Sequence, residues 1–143
     1  MFDIVAKRDI QIYDFDLHLV SALDTEHIKV FIRKGTHEGY TDTPAAWSLI
    51  GSTNVQPQHR RTSIPVGTFD PFVIEKSTRM AIYVTATNPV MRYSGGNAVG
   101  DVFASNDDLY LLEGTGKAYP FQEEGDYAPR VFNGSVRYTV LED

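Results

Sequence analysis

Apolar residues at every second position recur along this chain, and that period excludes most folds. Ile28, Val30 and Ile32 alternate with Lys29, Phe31 and Arg33. Met80, Ile82 and Val84 repeat the pattern, as do Val136, Tyr138 and Val140 near the end. A period of two places successive side chains on opposite faces of a strand. No stretch of ten or more residues carries the 3.6-residue period of an amphipathic helix. The pattern predicts an all-β protein, an antiparallel, jelly-roll-like β-sandwich of about nine strands with at most one or two short helical turns. A chain of 143 residues is the size of one domain, so 1–143 is read as a single β-sandwich.

The order of the segments adds detail. Residues 2–7 open as a short apolar strand. Residues 10–20 alternate but change phase, with Ile10 and Ile12 on one side and then Phe15, Leu17 and Leu19. A slip of one residue predicts a β-bulge near Tyr13-Asp14 and leaves Asp14, Asp16 and His18 on a solvated face. Thr43-Pro44-Ala45-Ala46-Trp47 has the form of one helical turn, with Pro44 at its first position. Further strands are expected over 47–55, 69–75, 79–87, 99–104, 109–113 and 130–141. Asn133-Gly134 marks a turn or bulge within the last.

Residues 94–121 are the densest in turn signals, with five of the eleven glycines. Ser105-Asn106-Asp107-Asp108 joins two strand-like pieces there. Its side chains suit a hydrogen-bonded turn, with Asp107 expected to bond nearby backbone. The alternative is calcium, for which Asp101, Asn106, Asp107 and Asp108 offer hard oxygen ligands. The spacing is not that of an EF-hand. No cofactor other than that ion is expected.

Composition narrows the function classes. The formal charge of −6 argues against nucleic acid as the main partner. With no cysteine, neither disulfides nor thiolate metal sites hold the fold. No run approaches the roughly 18 apolar residues of a membrane span, so no membrane insertion is expected. The opening residues read as strand and not as a signal peptide. A catalytic nucleophile would have to be Ser or Thr beside a histidine base. None of the four histidines, His18, His27, His37 and His59, lies in a catalytic motif. The chain is therefore read as non-enzymatic.

Aromatic residues offer another chemistry. Tyr40, Trp47, Tyr93 and Tyr119 lie in or beside loops, where sugar rings stack on such side chains. Trp47 and Tyr119 equally suit plugs at the ends of a sandwich. The basic patch Gln56-Pro57-Gln58-His59-Arg60-Arg61-Thr62-Ser63 reads either as an anion-binding loop or as a solvated one.

An ordered series of motifs runs through the chain. It starts with Met1-Phe2-Asp3-Ile4-Val5-Ala6, Gly35-x-x-x-Gly39-Tyr40 and Pro44-Ala45-Ala46-Trp47-Ser48-Leu49-Ile50-Gly51. It continues through Tyr93-Ser94-x-Gly96, Val99-Gly100-Asp101-Val102 and Ser105-Asn106-Asp107-Asp108-Leu109. Glu113-Gly114-x-Gly116-Lys117-x-Tyr119-Pro120-Phe121 and Pro129-Arg130-Val131-Phe132-Asn133-Gly134 close it. The series resembles a β-sandwich module that recurs in large secreted or cell-surface proteins of environmental bacteria and some algae. The resemblance implies an extracellular or cell-surface, non-catalytic module and brings no functional residue with it. Two roles are expected on that basis. One is adhesion or carbohydrate binding, with polysaccharide as partner. The other is a structural building block that packs against neighbouring modules or forms homo-oligomers.

Overall fold

The computed structural model describes residues 1–20, 24–117, 121 and 126–141. In chain order the strands are β1 Phe2–Ala6, β2 Ile10–Leu19, β3 Glu26–Lys34, β4 Ser48–Val55 and β5 Arg60–Ser63. Then come β6 Phe72–Ile74, β7 Arg79–Ala86, β8 Tyr93–Gly95 and β9 Val102–Ser105. The last four are β10 Leu109–Leu112, β11 Gly114–Gly116, β12 Tyr127–Phe132 and β13 Ser135–Val140. The one helical element among the described residues is a 3-10 turn at Pro44–Ala46, where Pro44 occupies the expected first position.

The fold is all-β and sandwich-like, with thirteen described strands where the patterning predicts about nine. The difference is physical. β5, β8 and β11 are three or four residues long and rich in Arg, Ser or Gly, so no apolar period marks them. The final expected strand is split at Asn133-Gly134 into β12 and β13.

A six-stranded antiparallel sheet has the order β4-β3-β7-β1-β10-β9. A second sheet has the order β13-β2-β5, with β6 also paired to β2, and a third has the order β11-β12-β8. Ile4, Ile28, Val30, Ile82 and Val84 of the first sheet share one apolar cluster with Ile10, Ile12, Phe15, Leu17 and Leu19 of β2. Each of these side chains, fully buried, contributes on the order of 1.5–3 kcal/mol to folding. Phe2 stacks on Phe132 at 4.4 Å between ring centroids and ties the third sheet to the core.

The bulge lies where the phase slip places it. Arg137 pairs with Asp14 and Tyr138 with Ile12, so Tyr13 is the extra residue. The slip puts both halves of β2 on the core. It does not leave the carboxylates in solvent, because Asp14 and Asp16 are buried. Arg137 and Ser63 bond to Asp16, and Arg137 also lies 3.9 Å from Asp14. On the outer face of the six-stranded sheet, Trp47, Tyr83, Ala81 and Met1 form a second apolar cluster under the loop that follows β3.

Candidate ligand-binding cleft

The basic patch takes a strand position. β5 runs antiparallel to β2, pairing Arg61 with His18 and Arg60 with Leu19. Adjacent strand residues normally point to opposite faces. Here His59 and Arg60 both have left-handed backbone, with φ of 56° and 79°. Two consecutive non-glycine residues in that region cost on the order of 1–3 kcal/mol each. Arg60 and Arg61 both line one open cleft of about 430 Å³.

Leu17, Phe103, Val131 and Phe132 supply the apolar lining of the cleft, and His18, Arg60, Arg61 and Asn133 the polar lining. Gly134 completes it. A Cβ at that position would lie 2.1 Å from the Asp16 carbonyl oxygen, so only glycine lets the β12–β13 connection pass so close to β2.

The charges under the cleft are unevenly matched. Arg137 Nη2 donates to both carboxylate oxygens of Asp16 at 3.0 Å, and Ser63 Oγ donates to Oδ1 at 2.8 Å. Arg61 Nε lies 3.8 Å from Asp16, too far for a hydrogen bond. Arg60 makes no ion pair or side-chain hydrogen bond among the described residues. Beside them, burial pushes the Asp14 carboxyl above its ordinary value, against the Phe15 N–H and the Arg137 charge. The cleft therefore presents two guanidinium groups with spare donors, beside an imidazole and an amide, over an apolar floor.

Of the residues expected to stack on sugar, the structure joins Trp47 to Tyr40 and places Tyr93 in a separate strand. Trp47 is 7% exposed, and its Nε1–H donates to the Tyr40 carbonyl at 3.0 Å. Its ring meets Tyr83 and Phe121 at 5.8 and 6.2 Å between centroids, the position of a plug. Tyr40 lies under the Arg33 guanidinium at 3.5 Å. Tyr93 lies in β8, its hydroxyl 3.4 Å from Met91 Sδ and its pKa pushed up to about 12 by burial. Tyr119 lies outside the described residues.

Of the four oxygen-bearing residues, Asn106, Asp107 and Asp108 share one turn and Asp101 lies apart from it. Asn106 Oδ1 accepts from the backbone N–H of Asp108 and Leu109 at 2.8 and 3.0 Å, so Asn106, not Asp107, bonds the turn. Asp108 accepts from the Tyr138 hydroxyl at 2.6 Å, and Asp107 is exposed. Asp101 precedes β9, at the opposite end of that strand from the turn. Among the described residues no three His, Asp or Glu side chains are grouped to hold a metal.

A second polar cluster went unread in the sequence. His37 donates from Nδ1 to Asp3 Oδ1 at 2.8 Å, and its Nε2 lies 3.0 Å from Thr115 Oγ1. Carboxylate, imidazole and hydroxyl in line is the order of an acyl-transfer triad. All three are buried, and the second Asp3 oxygen accepts from Thr36 and Arg79 at 2.6 and 3.2 Å. The buried line acts as a clamp holding the loop after β3 to β1 and β11. Burial favours the neutral Asp3 carboxyl, but the hydrogen bonds from His37 and Thr36 outweigh it and hold the group below its ordinary value. One signal was available: Asp3 is the lone charge in the apolar run Met1-Phe2-Asp3-Ile4-Val5-Ala6.

No family model and no curated protein sequence matches the chain.

Proposed function

We propose that the chain is a non-catalytic binding module of a secreted or cell-surface protein, and that it docks its parent onto polysaccharide through the cleft between β2, β5, β9 and β12. The cleft carries this reading. It joins an apolar floor, suited to the C–H faces of a sugar ring, to convergent donors that suit its oxygens. Strained backbone at His59 and Arg60 supports it, because strain persists where a site requires it. The family resemblance supports the extracellular setting. A glycan array probed with the wild type and with Phe103→Ala tests the reading: the variant is expected to lose the wild-type signal. An array with no wild-type signal would remove it.

One observation favours the second role, a structural building block. β4 is an outer strand of the six-stranded sheet with no charged residue along it, and Leu49 on it is 53% exposed. Uncharged edges pair readily with other strands. Sedimentation equilibrium across a hundredfold concentration range is expected to show association if this role applies.

A further inference from the structure

Resting on that binding reading, we infer that the cleft selects acidic saccharides, those carrying carboxylate or sulfate groups, over neutral ones. The inference comes from the charge balance at the cleft. Asp16, the carboxylate nearest to it, already accepts three short hydrogen bonds from Arg137 and Ser63. It therefore offers Arg61 only a loose 3.8 Å approach and Arg60 nothing. Arg61 keeps a side chain 71% exposed. A planar guanidinium with free donors binds carboxylate or sulfate in a two-point fork, which a neutral hydroxyl cannot match.

The position of these cations is specific. Arg60 and Arg61 line the same cleft, at a place where His59 and Arg60 hold left-handed backbone. A merely solvated basic loop has no need of that conformation. The whole chain carries a net charge of −6, these two arginines included, so it disfavours long polyanions away from local clusters of cations. A saccharide with spaced acidic groups satisfies both conditions, and the lining of Phe103, Val131 and Phe132 meets the ring between its charges. A polynucleotide presents continuous charge to an acidic protein, and an acidic peptide presents no ring face to that lining.

The test is calorimetric titration of the full chain with oligogalacturonate, a sulfated galactan oligomer and neutral galactan oligomer. Oligoglutamate and oligothymidylate serve as the other polyanions. One or both acidic saccharides are expected to bind, the pair separating carboxylate from sulfate recognition. Arg60→Gln should weaken that binding about tenfold, the loss of one charged hydrogen bond, while Arg60→Lys restores part of it. Raising salt from about 0.05 to about 0.5 M should weaken it several-fold. Melting curves of both variants verify that Arg60, an exposed residue, is not needed for folding. Neutral galactan bound as tightly as the acidic forms would overturn the charge selection and leave the binding reading intact. Binding to oligoglutamate or oligothymidylate as tight as to the saccharides would overturn it as well. No binding to any probe would remove both.

Discussion

Asp3 and His37 are 34 positions apart in sequence and joined twice, through the His37 ring at 2.8 Å and its backbone N–H at 3.0 Å. The pair fixes the loop after β3 against the central strand of the six-stranded sheet. Because the loop carries Trp47, the same pair positions the outer apolar cluster.

That clamp makes stability depend on acid. The folded-state pKa of Asp3 lies below its ordinary value of 3.8, so the folded protein holds fewer protons at this site than the unfolded chain. Its contribution is fully present above the unfolded value and is lost as pH falls through 3.8 toward the folded one. Asp126, also held below its ordinary value against burial by bonds from Thr41 and Lys117, acts with the same sign. Urea unfolding is expected to show a steep loss of stability below about pH 4. Asp3→Asn should cost about 3 kcal/mol at pH 7 and flatten that loss, as expected for removing one partner from a buried charged network.

Trp47 behaves as core. Trp47→Ala should cost about 3–5 kcal/mol, the loss expected for a buried aromatic ring. The wild-type fluorescence should be blue-shifted, and saccharide binding at the distant cleft should persist in whatever fraction of the variant remains folded. A platform role would show the reverse, with binding lost and the melting temperature unchanged.

At the 106–108 turn, the hydrogen bonds assign the cost to one residue. Asn106→Ala should lose about 1 kcal/mol or more, because two backbone N–H groups lose their acceptor. Asp107→Ala, at an exposed position, should stay within about 0.5 kcal/mol. Melts in EDTA and then in millimolar calcium chloride are expected to coincide, and a rise of several degrees with calcium would show an ion held there.

Backbone strain separates binding from stability at β5. Arg60→Gly relaxes the left-handed position and should leave stability unchanged or raise it by about 1 kcal/mol, while saccharide binding weakens about tenfold, as in Arg60→Gln. His59→Gly relieves the neighbouring strain with both guanidinium groups kept, so it should bind as the wild type does. Thermal melts beside the titrations measure both.

What could be read from the sequence follows from the range of each signal. Period-two alternation exposed β3, β7 and the bulge in β2, because packing on one face acts on every second residue. β5 was hidden because Arg60-Arg61-Thr62-Ser63 has no apolar face to bury, and its strand character comes from pairing with β2. The cleft has no local signal for a different reason: Phe103, Arg60 and Asn133 come from three separate segments. The aromatic residues were legible as candidates, but nothing local says that Trp47 is under a loop or that Arg33 covers Tyr40. Turn chemistry marked 105–108 correctly, while the choice of Asn106 over Asp107 as acceptor depends on turn geometry.

The bond from Arg137 to Asp16 spans 121 positions of sequence. Asp16 is buried beside the cleft, and Arg137 belongs to β13, the last described strand. A ribosome therefore delivers Arg137 long after Asp16, and a nascent chain lacking β13 leaves that carboxylate with only the Ser63 bond and the loose approach of Arg61. Pairings between such distant segments form slowly, because the closing entropy precedes any gain from the contact. If the cleft binds saccharide as proposed, that binding is deferred until β13 has paired with β2, and its acquisition would report completion of the fold.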